Sequence, residues 1–139
     1  MSETNFWHLL RSKLPFKMYR IENKVAIGTP DVHFLYKGKT GWLELKYVYS
    51  WPIKKFYSGL KKHQAIWLKD YSANGGKCWV VIRVAKDGLI VFNGKNVDKL
   101  IDCAPLKDIW ETADFKHKGV MKNENWQQLQ KVFTDSTVV

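Results

Sequence analysis

Residues 40–49, Thr-Gly-Trp-Leu-Glu-Leu-Lys-Tyr-Val-Tyr, alternate polar and apolar side chains, and they follow a second β-branched and aromatic run, Asp31 to Tyr36, across Lys37-Gly38-Lys39. Side chains leave a strand on alternate faces, so the pair predicts a β-hairpin. Its second strand sends Leu43, Leu45 and Tyr47 to one side and Trp42, Glu44, Lys46 and Val48 to the other.

The flanking segments carry other periods. Phe6, Trp7, Leu10 and Leu14 recur at helical spacing, which predicts an amphipathic helix over 4–14 with Thr4 or Ser2 as its N-cap and Pro15 just beyond its end. Residues 20–28 read as an extended or irregular approach, punctuated by Gly28-Thr29-Pro30. After a basic, aromatic loop at 50–57, Ser58 is placed to cap a helix whose stripe is Leu60, Gln64, Trp67, Leu68 and Tyr71, stopped by Asn74-Gly75-Gly76. Strand signals at 77–84 and 89–92, joined by a turn containing Asp87-Gly88, extend the sheet. Short helices fit around 96–102, 105–114 and 123–133. The order implies an α/β sandwich around a mixed central sheet, one domain over 1–133 and a polar tail over 134–139 that frays.

Charge narrows the function. Lys and Arg number 23 against 13 Asp and Glu in 139 residues, a formal net charge of +10 that favours polyanions, nucleic acid or an anionic membrane surface. Two cysteines, Cys78 and Cys103, without CxxC spacing, form neither a disulfide framework nor a zinc motif. No basic-then-apolar leader opens the chain and no apolar run reaches the roughly 18–20 residues of a membrane span. A cytoplasmic, intracellular setting follows as the expectation.

The hairpin brings Pro30-Asp31 beside Glu44-Leu45-Lys46, so two carboxylates and an ammonium converge. Phosphodiester hydrolysis needs an in-line water, a Lewis acid on the phosphate and relief of charge on the departing oxygen. Asp31 and Glu44, with the Leu45 carbonyl, form an oxygen donor set suited to magnesium, which keeps several waters and takes few protein ligands. Lys46 is placed to orient or help deprotonate the attacking water and to offset transition-state charge. Read blandly, Glu44 and Lys46 are an exposed cross-strand ion pair of little worth.

Two neighbouring features bear on the same chemistry. Gln64 falls on the apolar stripe of its helix, turning a polar amide toward the sheet where it needs partners. Lys54, Lys55, Lys61 and Lys62, interleaved with Trp51, Phe56 and Tyr57, are candidates for DNA contact, the lysines on phosphates and the aromatics on exposed bases. His33 shares the strand face of Asp31 but reads as a packed residue.

On Pro30-Asp31, the hairpin turn, Glu44-Leu45-Lys46 and the helix bearing Lys61, Lys62 and Gln64, residues 20–84 resemble the PD-(D/E)XK nuclease superfamily, nearest its VRR-NUC and Holliday-junction-resolvase-like branch, which includes small bacteriophage-type nucleases. The resemblance implies a restriction-endonuclease-like sandwich, with Asp31, Glu44 and Lys46 as the catalytic centre. It also implies a magnesium cofactor with manganese able to substitute, no nucleotide cofactor, and a homodimer acting on branched or nicked DNA, in the host cytoplasm if phage-encoded. Family members often add an upstream acid. Glu22 is the better placed, since its segment must approach the site, whereas Glu3 sits at a helix N-terminus where an acid is already favoured. Gln64 would contribute near the metal. The competing functions are an inactive DNA-binding module on the same fold and an RNA-directed nuclease.

Overall fold

In a computed structural model, which describes residues 3–22, 24, 26–86 and 88–135, the side chains of Glu3 and Thr4 excepted, the hairpin organises a six-stranded sheet. Its strands are β2 (Val32–Tyr36) and β3 (Lys39–Val48), antiparallel with Val32 opposite Leu43 and Tyr36 opposite Lys39. The two-residue turn puts Lys37 at φ +49° and Gly38 at φ +81°. Positive φ at both central residues is the signature of a type I′ hairpin, and such a turn fixes register. Carried one step past Val32–Leu43, this register sets Asp31 beside Glu44.

On its other side β3 pairs in parallel with β5 (Cys78–Val84), Glu44 opposite Val80 and Lys46 opposite Ile82. Parallel neighbours require a crossover, supplied by α2 (Lys62–Ala73). β6 (Gly88–Asn93) returns antiparallel to β5, and β8 (Phe115–His117) closes that edge. At the opposite edge β1 (Lys17–Arg20) pairs with β2, Tyr19 opposite His33. Neither edge strand was expected. Both are short and largely solvent-facing, β1 being charged at both ends, so they lack the buried alternation that marks a strand in sequence.

The sheet separates two cores. Against one face lie α1 (Glu3–Lys13) and α5 (Asn123–Thr134), burying Phe6, Leu10, Phe34, Leu43, Trp79 and Phe133. The expected N-cap at Thr4 or Ser2 and the expected upstream alternative at Glu3 lie outside the described side chains. Against the other face lie α2, α3 (Asp98–Ile101) and α4 (Leu106–Thr112), over Val80, Ile82, Ile90 and Phe92. β4 (Lys55–Phe56) and β7 (Ala104–Pro105) form a small second sheet that ties the loop after β3 to α4. This is the α/β sandwich around a mixed sheet that the order of elements implied.

Two expectations change. Ser58 does not cap α2, which starts at Lys62. Its buried hydroxyl donates to the Leu100 carbonyl at 2.8 Å and accepts the Leu60 N–H at 3.0 Å, fastening the loop to α3. The helix start is held instead by the Lys61 N–H donating to Gln64 Oε1 at 2.9 Å. Its end is as expected: Gly75, at φ +90°, donates to the Ser72 carbonyl and Gly76 to that of Tyr71, a Schellman motif. In the C-terminal part the helices are shorter than the expected 96–102 and 105–114, and residues 115–117 are strand. The tail keeps helical order to Thr134, residues 136–139 lying outside the described set. Among the described residues no helix is long and apolar enough to cross a membrane.

Candidate metal and phosphodiester site

The strand alternation that buries Leu43 and Leu45 on the α1 and α5 side turns Glu44 and Lys46 toward α2. Glu44 is only 2% exposed and the Lys46 side chain 12%, so they are not the exposed pair the bland reading allowed. Lys46 Nζ stands 3.3 Å from Glu44 Oε2. Gln64 Nε2 donates to the same oxygen at 3.2 Å, while its Oε1 takes the Lys61 N–H. A backbone donor on one side and a carboxylate acceptor on the other permit only this amide orientation. The cap of α2 therefore aims Gln64 at Glu44.

Glu44 Oε1 is buried and has no hydrogen-bond partner among the described residues. A buried carboxylate oxygen without a donor is costly, and a native fold retains one where something else satisfies it. Burial first, then the neighbouring Asp31 charge, push the Glu44 carboxyl up to about 8, against the pull of Lys46 and Lys24. Two carboxylates thus face two ammonium groups, and it is chiefly the loss of water around Glu44 that its neighbours do not offset.

Asp31 stands at the start of β2, half-buried. Its Oδ2 accepts the Leu45 N–H at 2.9 Å and its Oδ1 the Lys24 ammonium at 2.9 Å. Residues of an antiparallel hydrogen-bonded pair exchange both bonds, so a residue's N–H and C=O leave its strand on the same side. The Leu45 carbonyl therefore opens toward the Asp31 side, where β2 has ended. Two carboxylates and one backbone carbonyl fit an oxygen-preferring divalent ion that keeps waters. Among the described residues no third His, Cys, Asp or Glu joins them.

The remaining expected residues fall in different places. Glu22 is exposed, one residue beyond the Ile21 N–H bond to the Asp31 carbonyl, and stays outside the hydrogen-bonded set around Glu44. Lys24, two residues beyond Glu22, pairs with Asp31. Lys54, Lys55, Lys61 and Lys62 are exposed. Tyr57 is exposed as well, but Phe56 is buried in the core and unavailable for stacking on a base. Trp51 is half-buried, edge-on to Trp110 at 5.7 Å, with Lys118 above its ring at 5.2 Å. His33 packs on Trp42 at 4.8 Å. The roles of Lys24 and of Trp110 left no sequence signal: Lys24 reaches Asp31, seven residues on, across an irregular segment without a period, and Trp110 depends on Trp51, far back in the chain.

A comparison with protein-family models and with curated proteins finds no match. Among solved structures the chain is similar to Hjc from Archaeoglobus fulgidus, a Holliday junction resolvase from an archaeal hyperthermophile. The TM-score is 0.56 at 12% identity, over 91% of this chain and 96% of that one. The likeness is one of fold, and it identifies the six-stranded sandwich as restriction-endonuclease-like.

Proposed function

We propose that the chain is a magnesium-dependent endodeoxyribonuclease, selective for branched or nicked DNA, with Asp31, Glu44 and Lys46 as its catalytic residues. The observation that carries this is Oε1 of Glu44, buried beside Asp31 with no hydrogen-bond partner among the described residues, in a charged cluster on an otherwise apolar sheet face. The motif order Pro30-Asp31, Glu44-Leu45-Lys46 and the resolvase-like fold agree with it.

Asp31, Glu44 Oε1 and the Leu45 carbonyl would hold the ion, which when bound supplies Lewis acidity to the scissile phosphate, manganese serving in its place. Gln64 and Lys46 share Glu44 Oε2, which would leave Oε1 for the ion. Lys46, largely removed from water, places a positive charge where the phosphate gains negative charge, and its strong local field is worth more there than in solvent. Lys24 supplies the counter-charge of Asp31, a charge that a bound cation would supply in its place. Glu22 remains the upstream acid we assign to water positioning. Lys54, Lys55, Lys61, Lys62 and Trp51 meet the DNA flanking the cut. One domain holds one such centre, so paired cuts in a branched substrate require two copies, a homodimer.

Magnesium titration on labelled linear, nicked, flapped and four-way DNA tests this. The native chain yields product, most on the branched forms, and Asp31→Ala and Glu44→Ala lower the rate by about a thousandfold or more while DNA binding persists. Cleavage surviving in either variant would falsify the assignment. Mobility shifts without product in the native chain would make it a binding module, and cleavage of RNA alone would redirect the substrate.

A further inference from the structure

On the same sheet face as Glu44, beyond the end of β3, the loop carrying Trp51 and the helix α4 enclose a groove of about 480 Å³. Its apolar walls are Trp51, Ile53 and Trp110, and its rim carries Lys54, Lys107 and Lys118. Ile53 is 96% exposed, an uncommon state for an isoleucine on a cavity wall. The acid on the rim, Glu111, is already spanned by Lys107 at 3.9 Å. The two indoles meet edge to face at an interplanar angle of 66°, with the Lys118 ammonium over the Trp51 ring at 5.2 Å and that of Lys116 over Trp110 at 5.7 Å, long flexible side chains that a stacking base would displace toward its own phosphates.

Flat apolar surface ringed by ammonium groups matches the two chemistries of a nucleotide, a stacking base and an anionic phosphate. In a paired duplex the base faces are hidden within the stack, and a concave pocket does not reach them. An unpaired base does enter one, and the volume is in the range of pockets that enclose a small ligand. Trp51 lies five positions after Lys46, so their Cα atoms are at most about 18 Å apart. That separation is roughly five base steps at about 3.4 Å each.

We propose that this groove is a subsite for an unpaired nucleotide of the DNA, close to the scissile bond, and that it confers preference for substrates with single-stranded or unstacked bases. The proposal rests on the nuclease reading for its place near a cut, but the binding itself needs no cleavage. Trp51 also supports the fold, since its ring closes over Gly88, where an added Cβ would lie 2.3 Å away. The test therefore substitutes only the exposed lysines and keeps the indoles.

Binding is measured without divalent metal by anisotropy, using a labelled ten-nucleotide oligothymidylate and a fully paired duplex, for the native chain and for Lys54→Ala/Lys107→Ala/Lys118→Ala. We expect oligothymidylate affinity to fall by about tenfold or more and duplex affinity by about threefold or less. On the unmodified chain, photocrosslinking to oligonucleotide bearing 5-iododeoxyuridine should place the adduct on Trp51 or Trp110. Equal losses on both DNAs, no loss, no single-strand binding by the native chain, or adducts confined elsewhere would overturn the proposal. Poly-glutamate bound with the same dependence on the three lysines would overturn it in favour of an acidic protein partner. Adducts at Trp51 from a chain that cuts nothing would leave the subsite and remove the nuclease, whereas cleavage without such adducts would do the reverse.

Discussion

The two faces of β3 are built from adjacent residues and obey opposite rules. Leu43 and Leu45 enter a core sealed by α1 and α5, where Phe16 stacks on Phe34 at 4.8 Å and Phe133 meets Trp79 at 5.1 Å. Glu44 and Lys46, interleaved with them, enter a face where burial is imposed on charge. Dense apolar packing stabilises the first face. The second carries a carboxyl group held above its usual range, an oxygen without a donor among the described residues and an ammonium largely withdrawn from water. Stability on one side of the sheet offsets strain of an electrostatic kind on the other, an arrangement expected where a site must bind what the free protein lacks.

The sharpest way to break this contrast is to weaken the apolar face. Phe34 is fully buried, contacts Phe16, Trp79 and Phe133, and lies so close to Gly41 that a Cβ there would fall 2.6 Å from its ring. Phe34→Ala should lower unfolding free energy by about 3–5 kcal/mol in denaturant titration. A loss under about 1 kcal/mol would mean that this core collapses to fill the gap and is not the rigid support described.

The opposite face should respond with the opposite sign. The Glu44 carboxyl rises from 4.5 in the unfolded chain to about 8 in the folded one. Below about pH 4 both states hold the proton and the group has no effect on stability. Between the two values the unfolded state releases the proton while the folded state keeps it, so stability falls as pH rises, and above about 8 the full cost persists. Glu44→Gln should therefore stabilise the metal-free protein at about pH 9 by about 2 kcal/mol, less than the carboxyl shift alone implies because Lys46 loses its partner. The gain should vanish toward about pH 4. Thermal melts across that range decide it, and a destabilised Glu44→Gln at high pH would show that Lys46 holds the carboxylate ionised.

Much of this was legible in the sequence wherever a pattern was local. The alternation in Thr40–Tyr49, the turn at Lys37-Gly38 and the stop at Asn74-Gly75-Gly76 each act through near neighbours, and the hairpin register follows from them. Gln64 could be seen to face the sheet, because helix periodicity alone puts it there. What stayed hidden depends on distant partners. Ser58 looks like a helix cap until Leu100 arrives to take its hydroxyl. Phe56 looks like an exposed aromatic until β4 pairs with β7 and turns it inward. Trp110, Lys107 and Lys118 have no local mark at all and become a wall only when α4 packs beside Trp51.

Lys24 gives the smallest effect on stability and tests whether the charged face is poised for a cation. Its ammonium pairs with Asp31 at 2.9 Å, but both side chains remain about 30% exposed, 31% and 27%. Water and salt screen such a pair, so Lys24→Ala should change unfolding free energy by under about 1 kcal/mol. Its effect on ion binding should be larger, because the substitution removes a positive charge from beside Asp31 Oδ1 and frees that oxygen. Calorimetric titration with magnesium or manganese above about pH 8, where Glu44 is ionised, should show affinity rising by about threefold or more. Unchanged affinity would mean that Asp31 is not a ligand and that the ion, if held, rests on Glu44 alone. Weaker affinity would mean that Lys24 orders Asp31 for binding, and the contrast between the faces would then extend to the loop before β2.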